Sequence, residues 1–285
     1  MKKIANYILI LILILSSNIV KADNWLYSLE DAQKLAIATN KLILVDFWAS
    51  WCGPCHRMDS ESWSKEEVKI VMDNYVSVQI DIDTHRSLAR KYGVKGIPFV
   101  FILDANGEVV YKQMSYMGKS KVIKLLEKYA LSTKFLQTDY LIYNKKVNSY
   151  SAFRLAQKYQ DFAMFLDDDI KTDFLSLSKI YIKQTEKELK NEDREDKAIE
   201  EKIELLDIQE DVIRDNYKRS SKALGKLKEE EINDKNKQFF YFLNYVSCRG
   251  QNKSEMAETW LTKLKSTKRF ENYLTKAEQL FKEES

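Results

Sequence analysis

The sequence predicts an α/β domain, with a mixed central sheet flanked by helices, followed by an all-α region. Two observations carry that prediction. Both prolines and five of the seven glycines lie before residue 119, and only Gly225 and Gly250 follow. Turns between strands need such breakers, whereas a helical array does not. Apolar residues before about residue 130 alternate between strand-like and helix-like spacing, and after Leu131 they keep to helical steps. Three segments are therefore expected: 1–22, 23–130 and 131–285.

The first segment reads as a secretory signal peptide. Met1-Lys2-Lys3 is a basic start, Tyr7 to Leu15 is continuously apolar, and Val20-Lys21-Ala22 suits a signal peptidase cutting before Asp23. The apolar run is much shorter than the roughly 20 residues that span a bilayer. The expected product is a soluble chain in the periplasm or outside the cell. Its formal charge falls from +3 to about zero on loss of Lys2, Lys3 and Lys21. Near-neutrality with interspersed signs speaks against nucleic acid as a partner. Only three cysteines are present, too few for a disulfide-stapled scaffold.

Within 23–130 the elements alternate. Leu29, Ala32, Leu35 and Ala36 give a helix that stops at Asn40-Lys41. Leu42 to Ala49 is apolar except for Asp46 and reads as a buried strand. Pro54 to about Asn74 reads as a helix broken near Ser62-Trp63-Ser64. Tyr75 to Asp81 alternates as a strand, and Ser87 to Tyr92 is a short helix stopped by Gly93. Phe99 to Leu103 and Val109 to Gln113 are strands, and the Asn106-Gly107 between them is a strong hairpin signal. Lys119 to Tyr129 is an amphipathic helix. Beyond it, Ile199, Ile203, Leu206, Ile213 and Tyr217 follow helical steps, interrupted by Glu210. Lys187 to Lys202 is nearly all charged and reads as an exposed helix or a mobile linker. Phe239 to Leu243 supplies an apolar face for packing, and the last helices loosely resemble helix-pair repeats.

The chemistry-bearing motif is Trp51-Cys52-Gly53-Pro54-Cys55, placed between the buried strand and a helix. Strand, Cys-x-x-Cys and helix in that order is the layout of a thiol–disulfide exchange site. Unpaired N–H groups of the first helical turn favour a thiolate there. A zinc site built from Cys52, Cys55, His56 and His85 is the rival chemistry. It is disfavoured because Cys55 and His56 are neighbours on one helix and no second Cys-x-x-Cys exists. No metal and no cofactor is expected.

Val45 to Cys55 resembles the active-site strand and loop of thioredoxins. Lys91-Tyr92-Gly93-Val94-Lys95-Gly96-Ile97-Pro98 is similar to the thioredoxin segment that carries a cis-proline, and the Asn106-Gly107 hairpin matches too. The resemblance spans about residues 24–129, and the helix around Met58 to Trp63 is more similar to exported thioredoxin-like proteins, including the C-terminal domain of the membrane electron transporter that feeds the periplasm. It implies a thioredoxin fold and residue roles. Cys52, the more exposed thiol, attacks, and Cys55 resolves the mixed disulfide. Asp46, buried on the strand, exchanges a proton with Cys55. Ile97 and a cis Pro98 receive an extended substrate strand, while Trp51, Gly53 and Pro54 line the contact surface. Gln79, Ser115 and His56 depart from the pattern, standing where a lysine, a groove glycine and a lysine are usual. Cys248 is expected to be buried and inert.

The implied function is an exported thiol–disulfide oxidoreductase, a protein-disulfide reductase kept reduced by a membrane thiol transporter. Two alternatives stand beside it. One is a helical protein-binding or chaperone-like adaptor with a thioredoxin-fold docking domain and an unidentified partner. The other is a reductase dedicated to one client such as apocytochrome c.

Overall fold

The computed structural model describes residues 25–193 and 195–282. The expected signal peptide lies outside the described residues. Among the described residues, no helix is long and apolar enough to cross a membrane.

Helix α1 (Leu29–Thr39) starts at Ser28, whose hydroxyl accepts from Asp31 N, and stops at Asn40, where φ is 58°. Strand β1 (Leu42–Trp48) is buried from Leu42 to Phe47 because both its neighbours and both sheet faces cover it. A short helix α2 (Gly53–Met58) runs into a π-helical turn over Asp59–Trp63, followed by α3 (Glu66–Met72). The break expected near Trp63 is thus a change of helical pitch, with Ser64 N bonded to Asp59 O at 2.9 Å. Strand β2 (Tyr75–Asp81), helix α4 (Arg86–Lys91), strands β3 (Phe99–Leu103) and β4 (Val109–Met114), and helix α5 (Lys119–Lys128) complete the first half. The sheet order is β2-β1-β3-β4, with β1 and β2 parallel and the other pairs antiparallel. That is the mixed sheet expected from the sequence.

The hairpin turn uses Gly107 at φ 87°, where a Cβ would also lie 2.9 Å from the side chains of Gln33 and Tyr92. Because Ile43 pairs with Leu103 and Phe47 with Phe99, this hairpin lies at the start of β1. Cys52 follows the other end of β1. The hairpin and the Cys-x-x-Cys motif therefore occupy opposite poles of the sheet.

The second half is helical: a 3-10 turn at Lys134–Leu136, then α6 (Gln137–Lys145), α7 (Ser149–Ala163), α8 (Asp168–Asn191), α9 (Lys197–Ile213), α10 (Tyr217–Leu224), α11 (Asp234–Arg249), α12 (Ser254–Lys265) and α13 (Glu271–Leu280). Asn148 and Ser151 form a capping box that starts α7. The helical steps from Ile199 to Tyr217 fall on two helices, since α9 ends at Ile213 and Asp215 adopts φ 59° before α10. The described residues of the charged stretch 187–202 include the end of α8 and the start of α9 and are mostly exposed, with Leu189 buried and Ile199 half-buried. Phe239, Phe240, Phe242 and Leu243 are buried as expected, and Cys248 is buried as a free thiol.

The helical half rests on the hairpin pole. Asp104, fully buried, accepts through Oδ1 from Asn106 N and Glu108 N, both at 2.8 Å. Its Oδ2 accepts from Tyr159 Oη at 2.7 Å on α7 and Tyr181 Oη at 2.8 Å on α8. Those two rings stack with centroids 5.4 Å apart. Tyr140 Oη lies 2.6 Å from Tyr159 Oη, and Asn106 Nδ2 donates to Tyr181 Oη at 2.8 Å. Farther along, Tyr129 Oη donates to Asp173 at 2.6 Å and Lys128 pairs with Asp169. Buried apolar side chains of both halves form one contiguous cluster.

Tyr181→Phe leaves Asp104 Oδ2 with one donor and Asn106 Nδ2 without its acceptor. Its expected cost in unfolding free energy is about 1–3 kcal/mol. Ile180→Ala, on the exposed face of the same helix, is expected to cost under about 0.5 kcal/mol. Urea melts of the two variants against the parent check the difference.

Candidate active site

The site is built at the C-terminal end of β1. Cys52 is the N-cap of α2, and its Sγ accepts from Cys55 N at 3.2 Å while its carbonyl accepts from Cys55 N and His56 N. Cys52 and Cys55 form a disulfide with Cα atoms 5.2 Å apart. Both residues are buried, at 3% and 5% exposure, beside Ala49, with Trp48, Ile82 and Ile97 packed against them. The greater exposure expected of Cys52 is absent: with the disulfide closed it is no more exposed than Cys55. What projects instead is the intervening Gly53-Pro54, which is exposed. Pro54 sits in the first turn, where it has no helical N–H to lose.

Around this hump stand the other expected residues. The Ile97–Pro98 peptide bond is cis, Pro98 is buried and Ile97 is half-buried against the disulfide. Trp51 is 66% exposed and held from the side, its Nε1 donating to Asp83 Oδ2 at 2.7 Å. Nothing in the local sequence pattern links Trp51 to Asp83, 32 positions away. His56 is exposed and its Nε2 lies 2.7 Å from Ser50 O, so it braces the loop before Cys52. Among the described residues, no group of three or more His, Cys, Asp or Glu converges on a metal-sized site. His85 instead contacts Thr84 and the Asp81 carbonyl.

Ser115 adopts a backbone conformation that glycine reaches more readily. Its φ is 97°, and its N–H donates to Pro98 O at 3.0 Å. A left-handed conformation in a residue with a Cβ costs about 1–3 kcal/mol, so the pairing with the Pro98 loop holds it there. Met114, exposed, sits over Gly96, where a Cβ would meet its sulfur at 3.2 Å.

Asp46 is buried on β1, paired in register with Gln79 on β2. Gln79 Nε2 donates to Asp46 Oδ2 at 3.4 Å, and Oδ1 has no hydrogen-bond partner among the described residues. Burial pushes its carboxyl up to about 7, opposed by Gln79 and by the Trp63 indole, while the charge of Asp59 adds to the rise. A carboxyl poised there can hold or release a proton near neutrality.

Residues 29–130 match the thioredoxin-like domain family. Thioredoxin of Bacillus subtilis is 32% identical over 118 residues, which cover 39% of this chain and 97% of that protein. Thioredoxin H4 of Arabidopsis thaliana is 34% identical over 112 residues, covering 39% of this chain and 87% of its own. Among solved structures, the oxidised C-terminal domain of Neisseria meningitidis DsbD is 27% identical and aligns over 35% of this chain and 89% of that one, with a TM-score of 0.32. A cysteine pair closed at a helix start, on a sheet of this topology and with these relatives, marks a thiol–disulfide oxidoreductase. The chain belongs to the thioredoxin-like family.

Proposed function

We propose that the protein is an exported protein-disulfide reductase. In its dithiol form the Cys52 thiolate attacks one sulfur of a substrate disulfide. A mixed disulfide forms and the substrate's other sulfur leaves as a thiolate. The Cys55 thiol then gives its proton to Asp46, and its thiolate attacks Cys52 Sγ. The second substrate sulfur is expelled, and Cys52–Cys55 closes. Substrate gains two electrons and the protein's dithiol loses two, so a donor must restore it; outside the cytosol a membrane thiol transporter is the proposed donor.

The observation that carries this reading is the closed Cys52–Cys55 pair, packed against Ile97, with the Cys55 N–H directed at Cys52 Sγ. That donor favours the thiolate at Cys52 over the one at Cys55. The exposed Trp51, Gly53 and Pro54 and the backbone at Ile97 offer a surface for an extended substrate segment. Gly-Pro between the cysteines favours the reducing direction by family likeness. Export is supported by the basic start and apolar run of residues 1–22.

Cys52→Ser is expected to lower dithiothreitol-driven insulin reduction by more than about a thousandfold. Cys55→Ala should accumulate mixed disulfides through Cys52, and mass spectrometry of the trapped species tells one client from many. Undiminished turnover in Cys52→Ser overturns the mechanism. N-terminal sequencing of the exported protein is expected to begin at Asp23; a start at Met1 removes the export reading.

Asp46 also links stability to pH. An unfolded aspartate titrates near about 3.9, whereas the folded group holds its proton up to about 7. Between those values the folded chain binds a proton that the unfolded chain has lost, so stability falls as pH rises through the window. Asp46→Asn is expected to be more stable than the parent by about 2–4 kcal/mol at pH 8, with the gain vanishing toward pH 4. Denaturant melts of the oxidised protein at both values measure it.

A further inference from the structure

Strand β4 ends the sheet, and its last residues run beside the rim of the active site. Met114 sits opposite Phe99, and the next residue, Ser115, donates its N–H to Pro98 O. Hydrogen-bonded pairs alternate along an antiparallel ladder, so Lys112 and Met114 turn their own backbone groups to the outer edge. Gln113 Nε2 donates to the Met114 carbonyl at 2.9 Å, in the place a neighbouring strand would take. Helix α8 engages the other end of the hairpin, where Asn106 donates to Tyr181 and Tyr129 to Asp173. The open part of the edge is therefore the part next to Gly96 and Pro98.

A groove of about 400 Å³ runs between this edge and α5. Tyr111, Met114 and Leu125 give it apolar surface, and Lys121, Lys124 and Lys128 line its helical side at steps of three and four residues. Among the described residues no acidic side chain lines it. Lys128 is paired with Asp169 and, just outside, Lys119 with Glu67. Lys121 and Lys124 are exposed and make no ion pair among the described residues. Glu61, which accepts from Tyr116, is already bound to Arg57. Two unpaired cations beside apolar surface and an open strand edge are complementary to an extended chain that carries negative charge.

We propose that this groove docks an acidic, extended segment flanking the disulfide of the substrate protein. Backbone groups of the segment pair with the Lys112–Met114 edge, displacing the Gln113 amide, and its carboxylates meet Lys121 and Lys124. The substrate's cystine is thereby presented beside Ile97 and Cys52. The inference deepens the reductase reading and rests on it. Lys121 and Lys124 select substrates by charge and lower KM for acidic ones, without touching the reacting sulfurs.

The test compares two cyclic disulfide peptides that differ only in their flanks, four glutamates on each side in one and four glutamines in the other. With the full-length mature protein at low salt, KM for the glutamate peptide is expected to be about fivefold lower at similar kcat, the worth of two solvent-screened ion pairs. The double variant Lys121→Glu/Lys124→Glu is expected to lose that preference while reducing the glutamine peptide as the parent does. Salt near about 0.5 M should erase it too. Lys222→Glu/Lys226→Glu, the same charge change on the helical half, is expected to keep the preference. Equal KM values for the two peptides in the parent overturn the proposal, and so does an equal loss in the two double variants, which assigns the attraction to net charge alone. Fluorescence anisotropy with Cys52→Ala/Cys55→Ala measures the same preference without chemistry. If the parent reduces neither peptide, the reductase reading falls, and the anisotropy comparison still decides whether the groove binds acidic segments.

Discussion

One buried carboxylate fixes the relation between the two halves of this chain. Asp104 closes the β3–β4 turn with two backbone N–H groups and clamps α7 and α8 with two tyrosine hydroxyls. Burial pushes its carboxyl up and the four donors pull it back. No single donor repays the removal of a carboxylate from water, but four well-aligned ones together offset much of that cost. The clamp sits at the hairpin pole, at the opposite end of the sheet from Cys52.

Asp46 and Asp104 are two buried aspartates with opposite provision. Asp104 has all its acceptor capacity engaged on the sheet–helix junction, and it acts as structure. Asp46 has one long hydrogen bond and an oxygen without a hydrogen-bond partner among the described residues, and burial pushes its carboxyl up to about 7. Incomplete satisfaction is what makes a buried acid responsive to protons. The chain thus uses the same side chain as a rivet at one pole and as a titrating group at the other.

The rim of the site shows how the fold absorbs unusual residues. Ser115 holds φ 97° because its N–H is committed to Pro98 O, and the π turn after α2 is held by Ser62 and Met117. Arg57 stacks over Tyr116 at 4.2 Å and also pairs with Glu61, tying the π turn to the loop after β4. These contacts connect the segment that carries the cysteines to the segment that flanks the cis-proline, so the two sides of the site are joined.

Much of the first half was legible because its signals are local. An apolar run of strand length, Cys-x-x-Cys before a helix, Gly-Ile-Pro and Asn-Gly each act within a few residues, and the structure packs Ile97, which precedes Pro98 through a cis peptide bond, against Cys52 and Cys55. Asp46 was visible as the one acid in an apolar strand. Its bond to Gln79, 33 positions away, was suggested only by the family resemblance and by no local spacing. The clamp on Asp104 was equally hidden, because Tyr181 is 77 residues distant and a tyrosine in a helix reads as ordinary core. Sequence alone determined the element types, the redox motif and its candidate residues, through short-range spacing and backbone preference. Only tertiary structure decided which buried acid is satisfied and which is left to titrate, because burial and hydrogen-bond partners come from segments that meet only when the chain folds.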